Sequence, residues 1–97
     1  MVKHVVCFKL NESTDAEKAA AKEILLSMAG KVPTVLGIEV GTDFLCSPRS
    51  YDVFLQVTLK DKAALDEYQA DAYHCDVVKK YMHAHVSSSV AIDYEIL

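Results

Sequence analysis

The apolar residues of this chain recur with a period of two, then about 3.6, then two, two, 3.6 and two again, and that order is what most restricts its fold. Lys3-His4-Val5-Val6-Cys7-Phe8-Lys9-Leu10 alternates, so a strand over residues 2–10 would carry His4, Val6, Phe8 and Leu10 on one face. Thr14-Asp15-Ala16-Glu17 has the form of a capping box. The helix it opens has Ala16, Ala20, Ile24 and Met28 at four-residue spacing, with Ala21 and Leu25 beside them, and Gly30 and Pro33 placed to end it. Val35–Thr42 and Tyr51–Leu59 alternate again, with Leu36, Ile38 and Val40 on the inner face of one and Tyr51, Val53, Leu55 and Val57 on that of the other. The segment 43–50 between them, containing Pro48, reads as a loop. Asp61 is placed to cap a second helix that turns Leu65 and Tyr68 inward. A break is expected near Asp71. The helical stretch after it has His74, Val77, Val78, Tyr81 and Met82 as its apolar side, and a last strand, Val86–Glu95, would face Val86, Val90, Ile92 and Tyr94 inward.

The order β-α-β-β-α-β specifies an α+β, ferredoxin-like arrangement, a four-stranded antiparallel sheet with its helices on one face, built as a single domain over residues 1–97. The other sheet face is then expected to carry Val5, Cys7, Val35, Phe54, Thr58 and Ala91 among Lys3, Glu39, Gln56 and Ser89. That surface is too apolar to stay simply wetted, so a homodimer formed through the open sheet face is expected, two sheets closing into a dimeric α+β barrel.

Charge and composition narrow the partners. A net charge of -4, with no run of Lys or Arg, gives no electrostatic footprint for nucleic acid or an anionic membrane. No apolar run approaches the roughly 18–20 residues of a membrane span, and the N-terminus lacks the apolar core of a signal peptide. Cys7, Cys46 and Cys75 are an odd count at unrelated spacings, which points to a reducing, cytoplasmic setting. His83-Ala84-His85 has no acidic or thiol partner at a recognised metal-motif spacing, and Gly37 and Gly41 make no phosphate-binding loop. Neither a metal nor a cofactor is expected.

The chemistry concentrates on two histidines. His4 on an otherwise apolar strand face and His74 on the apolar side of the late helix imply a pocket between sheet and helices, walled by Val6, Phe8, Ile24, Met28, Val53, Leu55 and Val78. Imidazoles titrate near neutrality, so either can take a proton from carbon beside a carbonyl and return one. The same two residues could instead only satisfy the core by hydrogen bonding to backbone.

Lys3-His4-Val5-Val6, Lys31-Val32-Pro33, Leu36-Gly37-Ile38-Glu39-Val40-Gly41, Tyr51-Asp52-Val53, Leu65-Asp66-Glu67-Tyr68-Gln69, His74 and Val90-Ala91-Ile92-Asp93-Tyr94 follow one another along nearly the whole chain. In that order and spacing the sequence resembles the stress-responsive A/B barrel, or Dabb, family. The resemblance implies a dimeric α+β barrel. An enzymatic relative, plant olivetolic acid cyclase, uses a first-strand histidine, a tyrosine on the second helix and a histidine six residues later, the positions of His4, Tyr68 and His74 here. By that resemblance His74 is the base, Tyr68 the partner of the substrate carbonyl, and His4 the orienting group. The chain departs from the family pattern at Asp71-Ala72-Tyr73-His74, where His-Pro-x-His is common, and in an alanine-rich first helix without aromatic pocket walls. The expectation is a small apolar carbonyl compound bound in the cleft, with proton transfer or aldol-type cyclisation. Two alternatives stay open: a non-enzymatic stress or assembly protein with structural histidines, and, by fold analogy alone, a monooxygenase-like dimeric barrel.

Overall fold

The computed structural model describes residues 1–96. Its elements follow the expected order: β1 (Val2–Leu10), α1 (Asp15–Leu26), β2 (Gly37–Thr42), β3 (Val53–Leu59), α2 (Lys62–Ala70), a π-helical turn (His74–Lys79) running directly into α3 (Lys80–His85), and β4 (Val86–Glu95). The strands form one antiparallel sheet in the order β2-β3-β1-β4, the ferredoxin-like topology. Local chemistry accounts for the helix starts. Thr14 Oγ1 accepts from the Glu17 amide at 3.2 Å and Asp61 Oδ1 accepts from the Ala64 amide at 2.8 Å. Asp71 has extended backbone, which ends α2, and its carboxylate then accepts from the His74 amide at 3.1 Å.

One face of the sheet (Val2, Leu10, Val40, Val53, Leu55, Val57 and Leu59) packs against Ala21, Leu25, Met28, Val32, Ala64, Tyr68, Val78 and Met82 to make the core. The buried stripe of α1 is Lys18-Ala21-Leu25; of the expected face Ala21, Leu25 and Met28 are buried, whereas Ala16 and Ala20 are exposed and Ile24 is only half-buried. Small side chains define a helix face weakly, and the helix turns to put Leu25 down. That rotation takes in Lys18, which sits 4% exposed rather than on a solvated face; its ammonium donates to the Asp43 carbonyl at 3.0 Å.

β4 corrects the expected face. Lys9 pairs with Ser88 but Leu10 pairs with Val86, so Ser87 is an extra residue, its hydroxyl donating to the Lys9 carbonyl at 3.1 Å. Because side chains alternate, one extra residue reverses every side chain after it. Val86 stays on the helix side while Val90, Ile92 and Tyr94 turn to the open face, with Ile92 61% exposed. Ser89, Ala91 and Asp93, paired with Phe8, Val6 and His4, face the helices instead. Val35, expected on the open face, lies before β2 and packs on the core. The open face thus presents Val5, Cys7 and Phe54 beside Val90, Ile92 and Tyr94, a larger apolar surface than the alternation alone indicated.

Candidate functional site

β1 carries His4, Val6 and Phe8 across the sheet beneath α2 and the π-helical turn. There they wall a cavity of about 280 Å³ together with Leu25, Leu55, Tyr68, Gln69, His74, Val78, Lys79, Met82, His83, Val86, Ser89 and Ala91. The three chemical candidates meet in it. The Tyr68 ring lies between the imidazoles, with ring centroids 5.5 Å from His4 and 4.4 Å from His74. Val6, Phe8, Leu55 and Val78 are cavity walls. Ile24, Met28 and Val53, read from sequence as walls, are not: Met28 and Val53 are fully buried in the core, and Ile24 packs at its margin.

Each candidate has a distinct environment. His4 is buried, and its Nδ1 pairs with the Asp93 carboxylate across the β1–β4 ladder. A carboxylate on one ring nitrogen holds the proton there and leaves the other, Nε2, with a lone pair. Tyr68 is 1% exposed, burial pushes its hydroxyl well above the ordinary phenol range, and that hydroxyl donates to the Met28 thioether at 3.6 Å, a weak acceptor. His74 is half-buried, and its Nδ1 is buried without a hydrogen-bond partner. Desolvation holds its imidazole below the ordinary range, with the Lys79 and His4 charges adding to the effect and the Gln69 carbonyl and Asp71 carboxylate opposing it. His74 is therefore neutral at neutral pH, with one ring nitrogen unsatisfied, an arrangement a folded core rarely leaves in place.

The π-helical turn decides which side chains reach this cavity. Each residue of an α-helix advances 100°, so a residue five positions on lies about 140° round the axis. A π-turn closes its bonds from residue i to i+5 and brings that residue back into line. Lys79, five after His74, and His83, four after Lys79, thereby join the cavity wall, whereas Val77, expected inside, is 38% exposed. His85 turns elsewhere: its ring stacks on Tyr81 at 4.1 Å and its Nδ1 bonds the Tyr81 carbonyl at 2.8 Å. Among the described residues no three His, Cys, Asp or Glu side chains gather as a metal-binding group.

A family model described as the stress responsive A/B barrel domain matches residues 2–96. The chain belongs to this family. Solved structures share the Dabb fold at low identity. An Arabidopsis thaliana protein has a TM-score of 0.85 at 17% identity, with 100% of this chain and 96% of that one covered. A Dabb family protein from Mesorhizobium loti has a TM-score of 0.82 at 22% identity, covering 99% and 96%. The hydroxynitrile lyase from Passiflora edulis has a TM-score of 0.79 at 16% identity, covering 99% and 93%. No curated protein sequence matches the chain.

Within this Dabb domain the residue that sequence reasoning missed most clearly is Asp93. Its signal was present: Asp93 interrupts the apolar run Val90-Ala91-Ile92, as His4 interrupts the first strand. Reading it required knowing that the two strands are neighbours in a register that sets His4 opposite Asp93.

Proposed function

We propose that this Dabb domain forms a two-fold homodimer through its open sheet face, and that its cavity binds a small, mostly apolar carbonyl compound and moves a proton on the carbon beside the carbonyl. The observation that carries the reading is the His4–Asp93 pair set in an apolar wall, facing an imidazole with an unsatisfied buried nitrogen. Burying the His4 imidazole among Val6, Phe8 and Leu55 costs desolvation energy that an apolar side chain would not, so it is poorly explained by packing.

The roles differ from those implied by family resemblance. His4, its Nδ1 proton held by Asp93, is the base: Nε2 takes the proton from carbon and the electron pair moves into the enolate. Asp93 stabilises the imidazolium that results. The neutral His74 ring donates to the substrate oxygen, where charge develops. Tyr68, its hydroxyl turned to Met28, spaces the two imidazoles. In a substrate with a second carbonyl the enolate carbon attacks that carbon, a C–C bond forms, and the alkoxide recovers the proton from His4. The three cysteines, all free, fit the cytoplasmic setting that such a small-molecule enzyme would occupy. No helix among the described residues is long and apolar enough to cross a membrane.

The test is hydrogen–deuterium exchange at the carbon beside the carbonyl of 3-benzoylpropionate, 3-benzoylpropionamide and 1-phenyl-1,3-butanedione in D₂O, followed by NMR, with mandelonitrile cleavage measured alongside. Exchange above buffer with wild type and not with His4→Ala supports the assignment. Mandelonitrile cleavage without exchange would move the proton transfer from carbon to a hydroxyl. No binding of any probe refutes the site. Dimerisation is read separately by light scattering, where Ile92→Lys should yield monomers from a wild-type dimer.

A further inference from the structure

The cavity has a charge polarity opposite to that of the chain around it. The protein carries 14 Asp and Glu against 10 Lys and Arg, a net charge of -4. Yet the cavity wall contains His4, His74, Lys79 and His83 and no carboxylate. The nearby acids are already engaged: Asp93 with the His4 ring and Asp71 with the His74 amide. Lys79 and His83 are exposed and stand at the mouth, while His4 lies buried inside, so the basic groups run from the apolar interior to the opening.

This polarity is built by the backbone. A plain α-helix would turn Lys79 away from the side bearing His74, and the π-helical turn brings it round to the cavity. π-turns are uncommon and concentrate at functional sites. Lys79 also acts on the site electrostatically, since its charge helps hold the His74 imidazole in the neutral form.

Resting on the carbonyl-binding reading above, we infer that the ligand is a monoanion: an apolar body whose carbonyl meets His4 and His74, with a carboxylate at the mouth on Lys79 and His83. Size agrees. A cavity of about 150 Å³ accepts benzene, so 280 Å³ holds one ring with a short chain. The interior is apolar enough for the ring, and at the mouth the Lys79 ammonium supplies a charge-assisted donor and the His83 ring a hydrogen bond for the carboxylate. The class is therefore a short aryl or alkyl keto acid rather than a neutral ketone.

The experiment compares two probes of nearly equal shape, 3-benzoylpropionate and its primary amide, by calorimetry at low and moderate salt. Wild type should bind the carboxylate about twofold to fivefold more tightly, the range for a partly exposed ion pair, and added salt should narrow the gap. Lys79→Met should abolish the preference by weakening carboxylate binding, and Lys79→Arg should restore it. Lys79 is exposed, so these variants are expected to keep the wild-type melting temperature. Equal binding of both probes by wild type, or a preference that survives Lys79→Met, overturns the anion assignment while leaving the carbonyl site standing. Failure of both probes to bind, with His4 and His74 ring resonances unmoved, overturns the carbonyl site and the inference together.

Discussion

The Asp93 carboxylate should fix the tautomer of His4, and that can be measured without knowing a substrate. A hydrogen bond between an imidazole N–H and a carboxylate is worth about 1.5–3 kcal/mol net. Asp93 has a side chain 40% exposed, whereas that of His4 is only 9% exposed. Water shares the carboxylate, so the lower part of the range applies, about 1–2 kcal/mol after screening. That corresponds to roughly fivefold to thirtyfold in population, because 1.4 kcal/mol is tenfold. Set against the intrinsic preference of a free imidazole for Nε2–H, this should leave neutral His4 protonated on Nδ1 in the majority of molecules. Two-bond ¹H–¹⁵N correlation spectra of the imidazole distinguish the tautomers directly. Asp93→Ala removes the acceptor and should shift the population toward Nε2–H. Asp93→Asn can offer either its oxygen or its NH₂, so it should give a mixture. If wild-type His4 is mainly protonated on Nε2, or if Asp93→Ala leaves the spectrum unchanged, the orienting role of Asp93 is wrong and the base assigned to His4 loses its support.

Other consequences concern stability. Asp52 is buried, and its Oδ2 accepts from the Leu10 amide at 2.8 Å where β1 meets the β4 bulge. Asp52→Ala strands that amide and should cost about 2 kcal/mol, a fall of roughly 8–16 °C in melting temperature. Asp52→Asn keeps an acceptor and should lose less than half of that; a change within 2 °C for Asp52→Ala would refute the role. His74 has its folded-state pKa depressed, so between that value and the ordinary imidazole value the unfolded chain binds more protons than the native one. Stability from this residue should therefore be complete above the ordinary imidazole range and fall as pH drops through it. The melting temperature of wild type should decline more steeply between pH 7.5 and 5.5 than that of His74→Gln, and parallel declines would count against it.

Much of the candidate site was legible because polar residues in apolar alternation are conspicuous. His4 and His74 stand out against Val6, Phe8, Val78 and Met82 whatever the tertiary structure, and they meet in one cavity. Tyr68 came from family resemblance, and the fold places its ring between them. The cavity walls were less legible. Ile24, Met28 and Val53 look equivalent to Val6 and Leu55 in sequence, since an apolar side chain carries no mark of whether it meets a cavity or a neighbour. Lys18 is illegible for a related reason: a lysine in a helix is usually solvated, and only the approach of the Asp43 carbonyl shows that this one is buried.

Local sequence by itself determined the elements, their order and the ferredoxin-like topology, because alternation, helical spacing and the caps at Thr14 and Asp61 act over a few residues. The tertiary structure decided which way two of those elements face. In β4 the extra residue Ser87 reverses the strand, sending Ile92 out and Asp93 in. In the last helix the π-turn rotates Lys79 onto the cavity. Both are insertions of a single residue into a regular repeat. Neither leaves a trace in periodicity, and the bulge is fixed by its pairing with Lys9 and Leu10 of β1, far away in sequence. A one-residue change of phase is enough to turn a line of apolar side chains into an open face and an acidic one into the partner of His4.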